Sequence, residues 1–158
     1  MITQFVVNLV IAVVWALLQD TLSWHNLVVG FFVGMVVLNF AVRRLEHPFY
    51  MHRVLAFLKL TLIFFAEVVR SGLRVSYLIL HPKLPISPGL VAVPLDVTSD
   101  EAITMLAGMI TMAPGSISIE LSNDRKVLYV HALEAGDPHK AAAFFKNAFE
   151  RHILEVFM

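Results

Sequence analysis

Four ionisable side chains have the spacing to act together. Lys59, Glu67, Arg70 and Arg74 fall within about 80° of one another on a helix turning about 100° per residue. One acid among three bases on a narrow stripe makes ion pairs or holds lipid headgroups, and Glu67 beside Arg70 and Arg74 reads as such a pair. The other candidates are dispersed. Seven histidines are scattered along the chain, with no pair at metal-ligand spacing on one helix face. His47 and His52 fall in a basic loop and suit lipid headgroups, and His131, alternating with Tyr129 on one face of a strand, reads as an ordinary partly exposed histidine, with a contact surface as the rival. Asp96, Asp100 and Glu101 cluster where a helix starts, and capping accounts for them. The chain has no cysteine, which excludes disulfides, thiolate catalysis and cysteine metal sites. No phosphate loop, Gly-x-Ser-x-Gly or His-Glu-x-x-His motif occurs. No catalytic residue, metal ligand or cofactor site is therefore assigned.

Neutral polar groups stand out because of where they lie. Ile2 to Leu18 and Leu27 to Val42 carry no charge, and the turn between them, Gln19 to Asn26, is polar. Such runs predict a helical hairpin crossing a bilayer over residues 1–44. The first is short, about 25 Å at 1.5 Å per residue, and the second can recruit residues from the turn. Gln4 and Asn8 share one face of the first helix, and Asn39 sits near the inner end of the second. Amides in a membrane bond across helices, so all three are candidate intramembrane polar contacts. Gly30-Phe-Phe-Val-Gly34 makes a flat strip where another helix backbone can approach closely. A cleaved signal peptide fits poorly, since no basic segment precedes Ile2 and no small-x-small site precedes the turn.

Trp15 and Trp24 flank the turn, where indoles favour the interface, and the turn holds Asp20 but no Lys or Arg. Arg43, Arg44 and Arg53 follow the second helix, so the positive-inside rule puts the turn outside and residues 43–53 in the cytoplasm. Residues 45–80 are expected to form a basic loop and an amphipathic helix. Only seven residues separate Lys59 from Glu67, too few to cross hydrocarbon. The stripe Lys59, Glu67, Arg70 and Arg74 favours a helix in the plane of the interface, or in a groove on a partner. The rival is a third span with its charged face buried against other subunits.

Residues 81–89, His81 to Gly89, hold three prolines and a glycine and mark a domain boundary. Beyond it the hydrophobic period changes. Val91, Val93, Leu95 and Val97 alternate as a strand, and Thr98-Ser-Asp-Glu101 reads as a capping box opening a helix with Ile103, Leu106 and Ile110 on one face. Ile117, Ile119 and Leu121 alternate with Ser116, Ser118, Glu120 and Ser122, predicting a strand with its isoleucines inward. Val127 to Glu134 reads as a third strand, and Asp137-Pro138 caps a long helix ending near Phe157. The order β-α-β-β-α over residues 90–158 is a ferredoxin-like α+β domain lacking its last strand. The first strand is then an edge, which suits Pro94.

Composition agrees with a small membrane protein. The 158 residues are 58% hydrophobic, with a mean hydropathy of +0.76. The formal net charge of zero hides a basic first half and a mildly acidic second half. No basic block points to nucleic acid.

Three stretches carry a resemblance: Pro85-Ile-Ser-Pro-Gly-Leu-Val-Ala-Val-Pro-Leu95, Ile110-Thr-Met-Ala-Pro-Gly-Ser116 and Arg125-Lys-Val-Leu-Tyr-Val-His-Ala-Leu133. With the helical first half and the proline-rich linker, the whole chain resembles the E-type subunit of the Mrp-type multisubunit cation/proton antiporters. The resemblance implies a multi-pass protein of the bacterial inner membrane, working among other antiporter subunits and in contact with lipid. It implies exchange of sodium, or in some members potassium, for protons, with the proton path carried by large subunits. It transfers no catalytic residue, and the two apolar helices hold no ionisable group for a relay. The expected role is a non-catalytic accessory subunit supporting assembly and exchange, with a tail domain in the cytoplasm. The alternative is a stand-alone membrane-anchored sensor whose tail binds a ligand.

Overall fold

The computed structural model describes residues 2–44, 49–82 and 84–157. The chain divides into two compact units, Met1–Val54 and Leu55–Met158.

The first unit is built on the helices α1 (Ile2–Leu18) and α2 (Trp24–Arg44). Their seam is set by side-chain size. Asn8, Ala12 and Ala16 are buried along α1 at four-residue spacing, and Gly30, Gly34, Leu38 and Val42 along α2. Small residues on both sides let the backbones close up. The turn is held by Asn26, whose Nδ2 donates to Thr21 O (3.0 Å) and Thr21 Oγ1 (2.7 Å). Away from the seam the hairpin exposes valine, leucine and phenylalanine. Among the described residues, Trp24–Val42 is the stretch long and apolar enough to cross a membrane, and Ile2–Leu18 is apolar but shorter. The basic-loop residues 45–48, including His47, lie outside the described residues.

Helix α3 (Tyr50–Ile79) follows, and from Leu55 onward it belongs to the second unit. That unit continues with β1 (Gly89–Pro94), α4 (Asp100–Met112), β2 (Ser116–Leu121) and β3 (Val127–Ala132). A last helix runs as α5 (Pro138–Phe145), a π-turn (Lys146–Glu150) and α6 (Arg151–Phe157). The strands form an antiparallel sheet in the order β1-β3-β2. Val91, Val93, Leu128 and Val130 turn one face of it into a core shared with Leu106, Ile110, Phe145, Phe149 and Ile153. Leu60 of α3 is buried in the same core and Phe64 packs against it. The compact unit thus begins well before the proline-rich stretch 81–89, where the sequence pattern places a boundary.

Local chemistry explains the element ends. Asp137 caps α5 by accepting from the His139 and Lys140 N–H groups, with Pro138 in the first turn. Ser99 caps α4, accepting from Ala102 N at 3.2 Å. The cap is one residue later than the box expected at Thr98, because Ser99 holds the extended backbone that a cap requires. The α4–β2 turn needs Gly115, whose φ of 93° is open to glycine.

Strand β2 departs from expectation. Ile117 and Ile119 face outward, about half exposed, and the serines face inward. Ser116 Oγ donates to Ile110 O (2.8 Å) and Ser118 Oγ to Ala107 O (3.0 Å), so the short hydroxyls let α4 lie close against β2. A bulge between Ser118 and Glu120 then shifts the register and brings Leu121 opposite buried Leu128. Alternation fixes that two faces differ, and it does not fix which of them is inside.

Both sheet edges are blunted. Leu95 N donates to Lys126 O, so Pro94, one residue earlier in the alternating ladder, turns its N–H-less nitrogen toward the open edge. Its carbonyl accepts from Lys146 Nζ at 2.9 Å. The opposite edge carries the bulge, and the Ser118 N–H is taken by Thr111 Oγ1.

Candidate functional site

The polar residues of the hairpin converge on one side chain. Asn8 is fully buried, and its Nδ2 donates to the Tyr50 hydroxyl at 2.7 Å. Gln4, one turn earlier, accepts the Tyr50 backbone N–H at 2.9 Å and so caps the start of α3. Tyr50 is itself buried, with its ring edge-on to Phe5. Asn8 Oδ1 has no hydrogen-bond donor among the described residues and faces Gly34, where an added Cβ would overlap it. At Gly30 an added Cβ would lie 2.8 Å from Ala12 O and 2.9 Å from Ala12 Cα. The glycine strip therefore receives α1 of the same chain. Asn39 lies half-buried further along α2. Tyr50 is the residue that sequence reasoning missed. It follows Pro48 and Phe49 in what reads as a loop, and its partners are 42 and 46 positions away.

The polar stripe of α3 is divided. Lys59 Nζ donates to Glu155 Oε2 of α6 at 2.7 Å. Arg74 grips Glu134 with two nitrogens, Nε and Nη2. Both cations thus reach acids of their own compact unit, the ion-pair alternative of the two the stripe offered. Glu67 is mostly buried and pairs with Arg70 at 3.4 Å, and the Arg70 side chain is largely exposed. The hydrogen bond from Lys59 holds the Glu155 carboxyl below its usual pKa. A second face of α3, with Leu55, Leu58, Leu62, Phe65, Val69 and Leu73, is exposed and apolar.

Glu67, Arg74 and Glu134 also rim a cleft of about 240 Å³ floored by Val75, Leu133 and Phe149. That is below the usual size of a small-molecule site. Its cation is already bonded to Glu134.

A further polar knot fixes the loop after β1. Buried Glu150 accepts from the Asp96 and Val97 N–H groups, at 2.5 and 3.0 Å. Lys146 Nζ lies 2.7 Å from Asp96 Oδ2 and 3.4 Å from Glu150 Oε2. Burial draws the Lys146 pKa down, and the paired carboxylates of Asp96 and Glu150 more than offset it, leaving the value raised. The π-turn that carries both residues widens the helix where they project. Asp100 pairs with Arg125, so Asp96 and Asp100 are both engaged structurally. Among the described residues no group of three His, Cys, Asp or Glu side chains is arranged to hold a metal.

Residues 8–156 match the model of a family described as Na+/H+ ion antiporter subunit (MNHE). The chain is 37% identical to the E-type subunit of the Na+/H+ antiporter of Alkalihalophilus pseudofirmus and 35% identical to that of Bacillus subtilis, each alignment covering 97% of both chains. Among solved structures it is similar to a chain of the Mrp complex from Dietzia sp. DQ12-45-1b, with a TM-score of 0.51 and 25% identity over 62% of this chain and 92% of that one. A chain of the membrane-bound sulfane sulfur reductase, an archaeal respiratory membrane complex, shares the fold with a TM-score of 0.57 and 24% identity over 95% and 96%.

Proposed function

The chain belongs to the MNHE family of Na+/H+ antiporter subunits, and on that premise we propose that it is a non-catalytic accessory subunit of a multisubunit monovalent cation/proton antiporter in the bacterial inner membrane. The observation that carries the proposal is similarity to antiporter relatives of the E type over nearly the whole length of both chains. The chemistry supports it. The hairpin offers the neutral amides Gln4 and Asn8, both bonded to Tyr50, and Ile2–Leu18 and Leu27 to Val42 hold no group able to carry a proton. The protein holds its neighbours together, sodium or potassium is exchanged by larger partners, and any ion contact here is through neutral groups.

The hairpin turn faces outward and the α+β part lies in the cytoplasm. That part is a ferredoxin-like split βαβ unit without its last strand. Helix α3 lies along the inner surface of the membrane. Its apolar face meets lipid, and Lys59 and Arg74 are turned to Glu155 and Glu134.

Co-purification from native membranes tests the assignment. The chain is expected to elute with several large hydrophobic antiporter subunits, and its deletion to abolish cation-dependent proton exchange in everted vesicles. Elution alone, with exchange intact in the deletion, would overturn the assignment.

A further inference from the structure

Helix α3 starts without a cap of its own. The residue before it, Phe49, has no side-chain oxygen, whereas helices that start in water are most often capped by an oxygen of the residue at that position. The Tyr50 N–H donates instead to Gln4 of α1, and the Tyr50 hydroxyl accepts from Asn8. The level of these bonds can be read from the hairpin. Asn8 faces Gly34 and Ala12 faces Gly30, so Gln4, one turn further along α1, stands level with Leu38. The apolar span of α2 is Trp24–Val42, and Leu38 lies one turn from its end. At 1.5 Å per residue, the bond from Tyr50 to Gln4 is about 6 Å inside the span and Asn8 about 12 Å inside.

We propose that α3 begins inside the membrane, with Phe49 and the first turn of the helix among lipid acyl chains and Gln4 in the place of water at the helix start. The proposal rests on the reading of the hairpin as a membrane crossing and gives a depth to the interfacial helix. Backbone satisfaction is the first reason. A helix start exposes N–H groups that have no partner within the helix, and in hydrocarbon no water is there to take them. Here a side chain of another helix takes the Tyr50 N–H, and Phe49 O takes the His52 N–H at 3.1 Å. The second reason is the setting of Tyr50. The residue is buried, its ring is edge-on to Phe5, and its hydroxyl meets a fully buried amide. Amides bond across helices in this way where water is excluded. Composition is the third. Phe49, Tyr50 and Met51 carry no charge, and tyrosine favours the boundary zone with its ring in the apolar layer. His52 and Arg53 set the limit of depth. From about 6 Å inside, polar heads still reach the headgroups by snorkelling, so the first turn goes no deeper.

Trp15→Phe with Trp24→Phe leaves the chain without tryptophan. Single reporters are placed in that background by Phe32→Trp, Phe40→Trp and Phe49→Trp, and the full chain is reconstituted in phosphatidylcholine bilayers. Phe32 and Phe40 are exposed on α2 and calibrate depth. Lipids brominated along the acyl chain should quench the Phe49→Trp reporter within twofold of the Phe40→Trp reporter, and aqueous iodide should quench both weakly. Strong quenching at Phe49→Trp by iodide, with none by brominated lipid, would overturn the proposal. Gln4→Leu gives a second readout, because it removes the acceptor of the Tyr50 N–H. Iodide quenching of the Phe49→Trp reporter should then rise at least threefold as the helix start retreats to water, while the Phe32→Trp reporter keeps its value. A helix start already in water would be capped by solvent, so an unchanged response to both quenchers in Gln4→Leu would also sink the idea. Absence of bromine quenching at Phe32→Trp and Phe40→Trp would remove the hairpin reading itself, and the two failures are thereby separated.

Discussion

Gly34→Ala tests the seam of the hairpin. A Cβ at this position would overlap Asn8 Oδ1 and lie 3.2 Å from both Asn8 Cγ and Ile11 Cγ2. Asn8 is fully buried, so it can yield only by giving up its 2.7 Å bond to the Tyr50 hydroxyl. Overpacking costs about 1–3 kcal/mol. The lost intramembrane hydrogen bond adds roughly 0.6–1.7 kcal/mol. The hairpin should therefore lose about 2–4 kcal/mol. Asn8→Ala alone should cost less, and the double variant should cost little more than Asn8→Ala, because the clash has been removed. The resulting coupling is about 1–3 kcal/mol. Gly30 supplies the control. Its neighbours at 2.8 and 2.9 Å are Ala12 backbone atoms and the Trp15 Cβ, and Asn8→Ala should not rescue Gly30→Ala. The measurement is unfolding of the purified chain in mixed micelles, followed by the fluorescence of Trp15 and Trp24. These are the chain's two tryptophans, and both lie in the hairpin. Additivity of Gly34→Ala and Asn8→Ala within about 0.5 kcal/mol would refute the contact as the source of the cost.

Leu60→Ala should destabilise the second unit by about 2–5 kcal/mol, since the side chain is buried in its core, and should leave the tryptophan-monitored transition unchanged. Urea melts monitored by far-ultraviolet dichroism would show it, and an unchanged midpoint would mean that α3 does not pack there. Lys146 has a folded pKa above its unfolded value of 10.5. Its contribution is therefore complete below that value and is lost as pH rises through the folded pKa. Stability measured from pH 9 to 12 should fall at the alkaline end in the wild type, and Lys146→Met should flatten that part of the curve. Reporters fused after Tyr50 and after the final residue should register the same side of the membrane, and opposite sides would mean that α3 crosses it.

Much of this architecture can be read from spacing alone. The charge-free runs mark the hairpin, and Asp137-Pro138 marks the start of α5. The valines of β1 and the Ile103–Leu106–Ile110 face of α4 are buried as their periods require. What escapes the sequence is direction. The stripe on α3 is visible as a stripe, yet the acids answering Lys59 and Arg74 are 96 and 60 positions further on, with no local signal linking them. The same holds for Tyr50, which gathers Gln4 and Asn8 from a distant helix. On β2 the isoleucines are the apolar set, and hydrophobicity alone would send them inward. The hydrogen bonds that Ser116 and Ser118 make to carbonyls of α4 reverse that choice.

The closed edges of the sheet also determine how association ends. A free strand edge is a template that regenerates itself, since each added strand presents another edge and growth continues into a fibril. A face is consumed by whatever covers it. This sheet keeps exposed isoleucines on the face, while a proline and a bulge stand at the two edges. Its stickiness is terminating: one contact satisfies it, and none is propagated. A chain made in excess of its partners should therefore collect as small, soluble or detergent-dispersible clusters without a cross-β signature.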